Sequence, residues 1–142
     1  MQGVLGFVAG FCGLELFSFL LHKYLFHGVL WPVHRDHHGP RQRGLERNDS
    51  FSLAFTLLAV GLLELSQRPG AGHAALLLGA GLGISAYAAV YFVLHDLLTH
   101  RRFFKLPLPG PGLGRRLTES HRRHHQRSDK PGQGPWGLRS GW

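Results

Sequence analysis

Cysteine is almost absent from this sequence, and acidic residues are scarce. Among 142 residues there is one cysteine, Cys12. One thiol excludes both a disulfide within the chain and a zinc site built from cysteines. Because Cys12 lies inside an apolar run, we interpret it as a small apolar residue packed in a helix. Asp and Glu number 8 against 16 Lys and Arg, so the net charge is +8 with neutral histidines.

Three stretches of the chain consist largely of apolar residues and carry almost no charge. Residues 3–21 contain Glu15 alone and would form a helix about 29 Å long, close to the thickness of a bilayer's hydrocarbon core. Residues 51–66 would reach about 24 Å, and residues 74–94 hold no charge. Too little amphipathic surface remains for a soluble helical bundle. The sequence therefore predicts one all-α integral-membrane domain over 1–142, with spans at about 3–21, 51–66 and 74–94 and a flexible tail at about 128–142.

The basic residues are distributed unevenly about these spans. With three spans, the segments after the first and the third share one side of the membrane, and they contain every Lys and Arg except Arg68. Such an excess is typical of the cytoplasmic side. Topology and attraction to anionic membrane lipids explain the positive charge, so we expect no nucleic-acid partner.

Histidine is the abundant residue, with 11 copies of which only His73 stands alone. The order HxxxxH, HxxHH, HDxxxH, HxxHH is an internal duplication, in which a span ends in a five-apart pair and a triplet follows. In HxxHH all three rings can point from one helical face toward a common centre. A five-apart pair is about 140° apart on a regular helix, so it reaches one site only where the helix ends, distorts or meets the metals across its terminus. The grouped residues are His22, His27, His34, His37, His38, His95, His100, His121, His124 and His125.

Ten imidazoles on the cytoplasmic side predict a pair of bound metal ions. Neutral imidazole binds Zn, Cu, Fe and Ni, and two ions with four or five ligands each could use ten rings. A pH sensor and a metal-transport site are the rival interpretations, although a transport site would more naturally lie within the membrane. We predict a cytoplasmic helical cap that holds a di-metal site, with no catalytic residue beyond the ligands. The oligomeric state stays open.

Several polar residues near the histidines could accept hydrogen bonds from the ligating rings and so fix their tautomers. Some of them could instead cap helices or pair with arginines. Glu15 lies seven residues before His22, on the same helical face and about 10 Å deeper. An acid there is costly and usually functional, and a hydrogen bond to Ser85 or to an aromatic hydroxyl is the plain alternative. The candidates are Asp36, Asp49, Asp96, Glu15 and Asn48.

These stretches resemble the bacterial beta-carotene 3-hydroxylases, within the fatty acid hydroxylase and sterol desaturase superfamily. The similarity covers about residues 12–126, and Glu15 matches an acid placed the same way before the first histidine group. The tail SDKPGQGPWGLRSGW departs from the family pattern. The matching stretches are HKYLFHG (22–28), Trp31 followed by HRDHHGPR (34–41), Gly44-x-Glu46-x-Asn48-Asp49, AY (86–87), YFVLHD (91–96) and HRRHH (121–125).

The resemblance implies a non-haem di-iron centre in the bacterial inner membrane, with the ten grouped histidines as iron ligands. It also implies O₂ as co-substrate and electrons from a soluble ferredoxin-type protein. The reaction would place a hydroxyl group at C3 of each β-ionone ring, giving zeaxanthin via cryptoxanthin. A saturated ring carbon offers no acid or base handle, so this oxidation needs a metal centre.

A site at the cytoplasmic interface would leave the carotenoid in lipid while one ring reaches the metals. Tyr87, Tyr91 and Phe92 could line the path of that ring, or they could simply pack helices together. Two other functions stay open. One is a hydroxylase or desaturase of the same superfamily that acts on a sterol, a fatty acid or a ketocarotenoid. The other is a membrane metal-binding protein without catalysis.

Overall fold

The computed structural model describes residues 1–39, 44–70, 72–104 and 106–126, and every regular element in this part of the chain is a helix. The all-α prediction is thereby confirmed, while the predicted tail at 128–142 lies outside the described residues. Two of the helices continue without a break into π-helical segments, here called π1 and π2. The elements are α1 (Gln2–Leu20), π1 (Leu21–Phe26), α2 (Trp31–His34), α3 (Asp49–Ser66), α4 (Ala74–Tyr91), π2 (Phe92–Thr99) and α5 (Leu113–His125).

Three helices are long and apolar enough to cross a membrane. They are Gln2–Phe26, Asp49–Ser66 and Ala74–Thr99, and they contain the three apolar stretches of the sequence. The first and the third are longer than the apolar runs alone because each includes its π-helical segment. Large apolar side chains such as Leu5 and Leu57 are exposed on them, as expected for helices that are hydrophobic all round and meet lipid.

The chain divides into two compact units. The first, residues 1–16 and 50–90, holds most of the three apolar helices and is called the apolar unit below. The second, residues 17–49 and 91–142, holds all ten grouped histidines and is called the histidine unit.

Glycines allow helices of the apolar unit to approach each other closely. A Cβ atom on Gly83 of α4 would overlap the carbonyl oxygen of Phe7 in α1, and one on Gly10 of α1 would overlap the carbonyl oxygen of Ala80. Small residues are the usual means by which membrane helices pack at such short range. Cys12 was expected to pack inside but is exposed, because it lies two residues beyond Gly10 and so about 200° around α1 from this contact.

Candidate metal centre

Both five-apart histidine pairs lie at π-helical turns. The backbone N–H of His27 donates to the carbonyl oxygen of His22 at 3.2 Å, and that of His100 donates to the carbonyl oxygen of His95 at 2.8 Å. A hydrogen bond between residues five apart defines a π-turn. It places the two members of each pair one turn apart, so both rings project from the same side of the helix. The distortion that the sequence spacing required is present in both copies.

The ten grouped histidines gather into two clusters of five. Within each cluster the nitrogen atoms that could ligate a metal lie within 4.8 Å of one another. The predicted histidine site in the helical fold is therefore present, and its division into five and five matches the expectation of four or five ligands per ion. The first cluster is His22, His27, His34, His38 and His124, and the second cluster is His37, His95, His100, His121 and His125.

Each half of the chain supplies four histidines to one cluster and a single histidine to the other. The residue that crosses over is the middle member of each triplet, His37 in the first half and His124 in the second. Helix geometry explains this in α5, where His121 and His125 are about 40° apart and His124 lies on the far side of His121. The two clusters therefore interlock, and neither is built from one half alone.

The imidazole nitrogens converge at the spacing of atoms bound to one ion. In the first cluster the Nε2 atom of His22 lies 3.2 Å from that of His27 and 3.1 Å from that of His34. In the second cluster Nε2 of His37 lies 3.0 Å from Nε2 of His95. Ligands at right angles around an ion with bonds of about 2.1 Å would be roughly 3 Å apart. The residues present therefore fit a metal ion in each cluster.

Burial keeps these imidazoles in the neutral form that binds metals. His34 and His124 are among the most buried side chains of the described residues. Burial lowers the pKa of His34 to about 3, against a weaker opposing effect of its hydrogen bond to Asn48. Burial and the neighbouring His95 lower the pKa of His100 to about 2. At neutral pH both rings carry a free lone pair without first having to lose a proton.

Three side chains hold the Nδ1 side of histidine rings, which leaves Nε2 toward a cluster. Nδ1–H of His34 donates to Oδ1 of Asn48 at 3.0 Å, and Nδ1–H of His95 donates to Oδ1 of Asp96 at 3.3 Å. These two residues were expected to support the rings. The shortest such bond, from Nδ1–H of His37 to Oε2 of Glu46 at 2.7 Å, was not expected. An acceptor at Nδ1 fixes the tautomer and makes the ring a stronger ligand.

The sequence offered one signal for Glu46, its place in the Gly44-x-Glu46-x-Asn48-Asp49 stretch beside Asn48. Its spacing of nine residues from His37 matches no helical periodicity, so only the folded loop reveals the contact. Arg102 was also missed. It lies two residues after His100, and its side chain binds the carboxylates of Asp49 and Asp96.

Three other predicted supports make different described contacts. Asp36 accepts the backbone N–H of Arg47 at 3.3 Å, and Asp49 accepts the backbone N–H of Glu46 at 2.8 Å. Both match the alternative role of ordering the backbone. Glu15 lies in the apolar unit and accepts the hydroxyl of Tyr87 at 2.7 Å, which is the aromatic-hydroxyl alternative.

Aromatic residues of the histidine unit pack against the clusters. Tyr91 stacks on His95 with ring centroids 4.4 Å apart and planes 19° apart. Phe92 is exposed and lies 5.7 Å from the ring of Phe103. Trp31 lies 5.3 Å from the ring of His27, on the first cluster. His73 is exposed in the apolar unit and belongs to neither cluster, as expected for an isolated histidine.

A cavity of about 380 Å³ opens beside the second cluster. His37, His100 and His125 contribute to its wall, together with charged residues that include Glu46 and Arg122. A wall of this kind suits water and protons better than a hydrocarbon ring.

Comparison with known proteins agrees with this site. The fatty acid hydroxylase family matches residues 7–140. The chain is 36% identical over 126 residues to a beta-carotene hydroxylase of Paracoccus sp., covering 88% of this chain and 75% of that protein. It is 37% identical over 120 residues to the beta-carotene hydroxylase of Pantoea ananas, covering 84% of this chain and 66% of that protein.

A chloroplastic beta-carotene 3-hydroxylase of Haematococcus lacustris is 38% identical over 133 residues. These residues make up 92% of this chain and 41% of that protein, so the chain spans less than half of the algal relative. No solved structure matches the chain. Because the family match covers nearly the whole length and includes both histidine clusters, the chain belongs to the fatty acid hydroxylase family.

Proposed function

We propose that this chain is a membrane-bound di-iron hydroxylase that adds a hydroxyl group to C3 of carotenoid β-ionone rings, converting beta-carotene to zeaxanthin via cryptoxanthin. The observation that carries the proposal is the pair of interlocked five-histidine clusters. The ten histidines are proposed as the iron ligands, five to each ion. The substrate class is supported by relatives that are named beta-carotene hydroxylases.

Two iron ions bound there would supply the O₂ chemistry that oxidation of an unactivated C–H bond requires. In the balanced reaction one oxygen atom enters the C–H bond and the other leaves as water. Two electrons come from an external ferredoxin-type donor, and two protons come from solvent. The protein's part is to hold the imidazoles neutral, to fix their rings through Asn48, Glu46 and Asp96, and to admit water and protons through the polar cavity.

The carotenoid is proposed to stay in lipid while one ring approaches the clusters. The charged cavity wall disfavours that route for a hydrocarbon ring. Tyr91 stacks on His95 and Phe92 follows it along π2, so these two aromatic residues remain candidates for guiding the ring. Tyr87 lies in the apolar unit, and its bond to Glu15 supports a packing role there.

The proposed site faces the cytoplasm of a bacterial cell, in a single hydroxylase domain of the inner membrane. The support is the positive-inside distribution, in which Arg68 alone among the Lys and Arg residues lies between the second and third spans. A soluble electron donor would then dock on the basic side, where α5 exposes Arg122 and Arg123.

A second candidate function keeps the metals and changes the lipid. The matching family is described as fatty acid hydroxylases, which supports a fatty acid, a sterol or a ketocarotenoid as the alternative substrate. A membrane metal-binding protein without catalysis is the third candidate.

Expression of the full chain in a bacterium that makes beta-carotene, followed by chromatography of its pigments, separates the three. We expect mono- and dihydroxylated products that disappear in His37→Ala and His124→Ala, which affect one cluster each, and persist in His73→Ala. Bound iron with O₂ consumption on another lipid and no new pigment would favour the second candidate. Bound metal without O₂ consumption on any lipid would favour the third, and a chain without metal would contradict all three.

A further inference from the structure

Arg102 is a buried cation that contacts three carboxylates at once. Its side chain is only 4% exposed. Nη1 and Nη2 donate to the two oxygens of Asp49 at 2.8 and 2.7 Å, and Nη1 also donates to Oδ1 of Asp96 at 2.9 Å. Nε lies 3.8 Å from Oε1 of Glu46. The two-pronged contact with Asp49 uses the planar fork of the guanidinium, which a lysine lacks.

Two of these three carboxylates continue to histidines of the second cluster. Glu46 accepts Nδ1–H of His37 at 2.7 Å, and Asp96 accepts Nδ1–H of His95 at 3.3 Å. The Nε2 atoms of these two histidines are 3.0 Å apart. Two chains of contacts, each running from guanidinium to carboxylate to imidazole, therefore start at Arg102 and end on the same cluster.

The charges explain why a cation is needed at this point. Three carboxylates lie close together, and without a counter-charge they would repel one another and face a large desolvation cost. Burial raises the pKa of Glu46 to about 7, and Arg102 acts in the opposite direction and favours the ionised form. The hydrogen bonds to Asp49 raise the pKa of Arg102 itself, so its charge is permanent.

The backbone is strained where it places Arg102. Arg101, directly before it, has φ of +53°, in the left-handed region that costs a non-glycine residue about 1–2 kcal/mol. The backbone N–H of Arg102 then donates to the carbonyl oxygen of Asp96 at 3.0 Å. The chain turns sharply after His100, and this turn brings the guanidinium back to the carboxylates. Strain of this kind persists where the surrounding contacts demand it.

We propose that Arg102 is a positioning residue for the second cluster, fixing Glu46 and Asp96 and through them orienting His37 and His95 toward one metal ion. The inference rests on the proposed function only in requiring that the clusters bind metal. It does not depend on the identity of the lipid substrate.

Iron retention by the purified full chain in detergent tests this role directly. Iron per chain is measured by mass spectrometry during timed dialysis against a chelator. We expect two ions per wild-type chain, and in Arg102→Gln we expect one ion to leave about 10- to 100-fold faster while the other is retained normally. Arg102→Lys should fall between them, because it keeps the charge and loses the fork.

The matched control is Arg115→Gln. Arg115 also pairs with an acid, Glu119 at 2.7 Å, but their side chains are 47% and 45% exposed. Surface pairs of this kind contribute little, so iron retention should equal that of the wild type.

A combination of variants separates positioning from a general structural role. In a His124→Ala background, which impairs the first cluster, Arg102→Gln should release the remaining ion. In a His37→Ala background, where the second cluster is already impaired, Arg102→Gln should have no further effect. Equal release from both clusters, or unchanged retention in Arg102→Gln, would overturn the inference.

If Arg102→Gln lacks the wild-type helix content by circular dichroism, Arg102→Lys decides by the same measurement. Wild-type retention in that variant would then overturn the inference. A wild-type chain without metal would overturn the proposed function as well. Two retained ions with indifferent Arg102 variants would overturn the present inference alone.

Discussion

The backbone N–H of His100 donates to the carbonyl oxygen of His95, so one π-turn hydrogen bond joins the two members of a histidine pair. The same bond joins His27 to His22 in the other half of the chain. A π-turn inside a long helix is rare and is found frequently at functional sites. Here the distortion of each helix and the pairing of its histidines are one structural feature, because the turn brings residues five apart onto one side.

The crossing histidines give a prediction about metal content. His37 lies in the first half of the chain but in the second cluster, so His37→Ala and His95→Ala should each cost the same ion. We expect the double variant to hold one iron ion per chain, like each single variant, whereas His37→Ala with His22→Ala should hold none. Iron per chain, measured by mass spectrometry, checks this. His73→Ala is the control, and a greater loss in the His37/His95 pair than in either single variant would contradict the assignment.

Asn48 should support the first cluster through His34. Asn48→Leu removes the oxygen that accepts Nδ1–H of His34 at 3.0 Å, so the ring loses its fixed orientation. Loss of such a partner typically weakens metal binding about 10- to 100-fold. Asn48→Asp keeps an acceptor and should retain iron nearly as well as the wild type in chelator competition. Equal retention by the Leu and Asp variants would show that this hydrogen bond is unimportant.

The Glu15–Tyr87 contact should stabilise the apolar unit. Tyr87→Phe removes a 2.7 Å hydrogen bond between two buried side chains, and we expect a loss of about 1–3 kcal/mol in the free energy of unfolding. Unfolding in detergent, followed by circular dichroism, measures it, and iron content should not change. Tyr24→Phe alters an exposed tyrosine and is the control. A drop in hydroxylated product at wild-type stability would instead favour a role of Tyr87 in the substrate path.

Glycine substitutions should separate close helix packing from helix propensity. Gly83→Ala places a methyl group against the carbonyl oxygen of Phe7, and we expect a loss of about 1–3 kcal/mol in unfolding free energy. Gly61 of α3 has nothing within 4 Å of its added methyl group. Gly61→Ala should therefore be neutral or stabilising by up to about 1 kcal/mol, since alanine favours a helix. Equal thermal stability of the two variants would contradict the packing described for α1 and α4.

Much of the architecture follows from local patterns in the chain. Apolar runs of sufficient length predict spanning helices because a bilayer leaves the backbone no other way to satisfy its hydrogen bonds. The ten grouped histidines could also be chosen by pattern, since HxxHH places its rings on one face and His73 has no histidine neighbour. The five-apart pairs even indicated a distorted helix, because a regular one would turn their rings away from each other.

Contacts between segments distant in the sequence could not be obtained in this way. Glu46 lies nine residues from His37 and Arg102 lies 53 residues from Asp49, and both contacts depend on how irregular loops fold. Cys12 was assigned to the interior from its apolar neighbours. In a membrane helix, however, apolar residues surround every side, and only the position of Gly10 shows which face meets another helix.

Spacing along the chain thus determined which histidines could serve together, since helical geometry fixes the direction of each ring relative to its neighbours. The tertiary structure alone decided how they divide, sending His37 and His124 to the cluster of the opposite half. It also decided which acids orient them. The physical reason is that ligand identity depends on local periodicity, whereas a shared centre depends on distances between segments that only the folded chain sets.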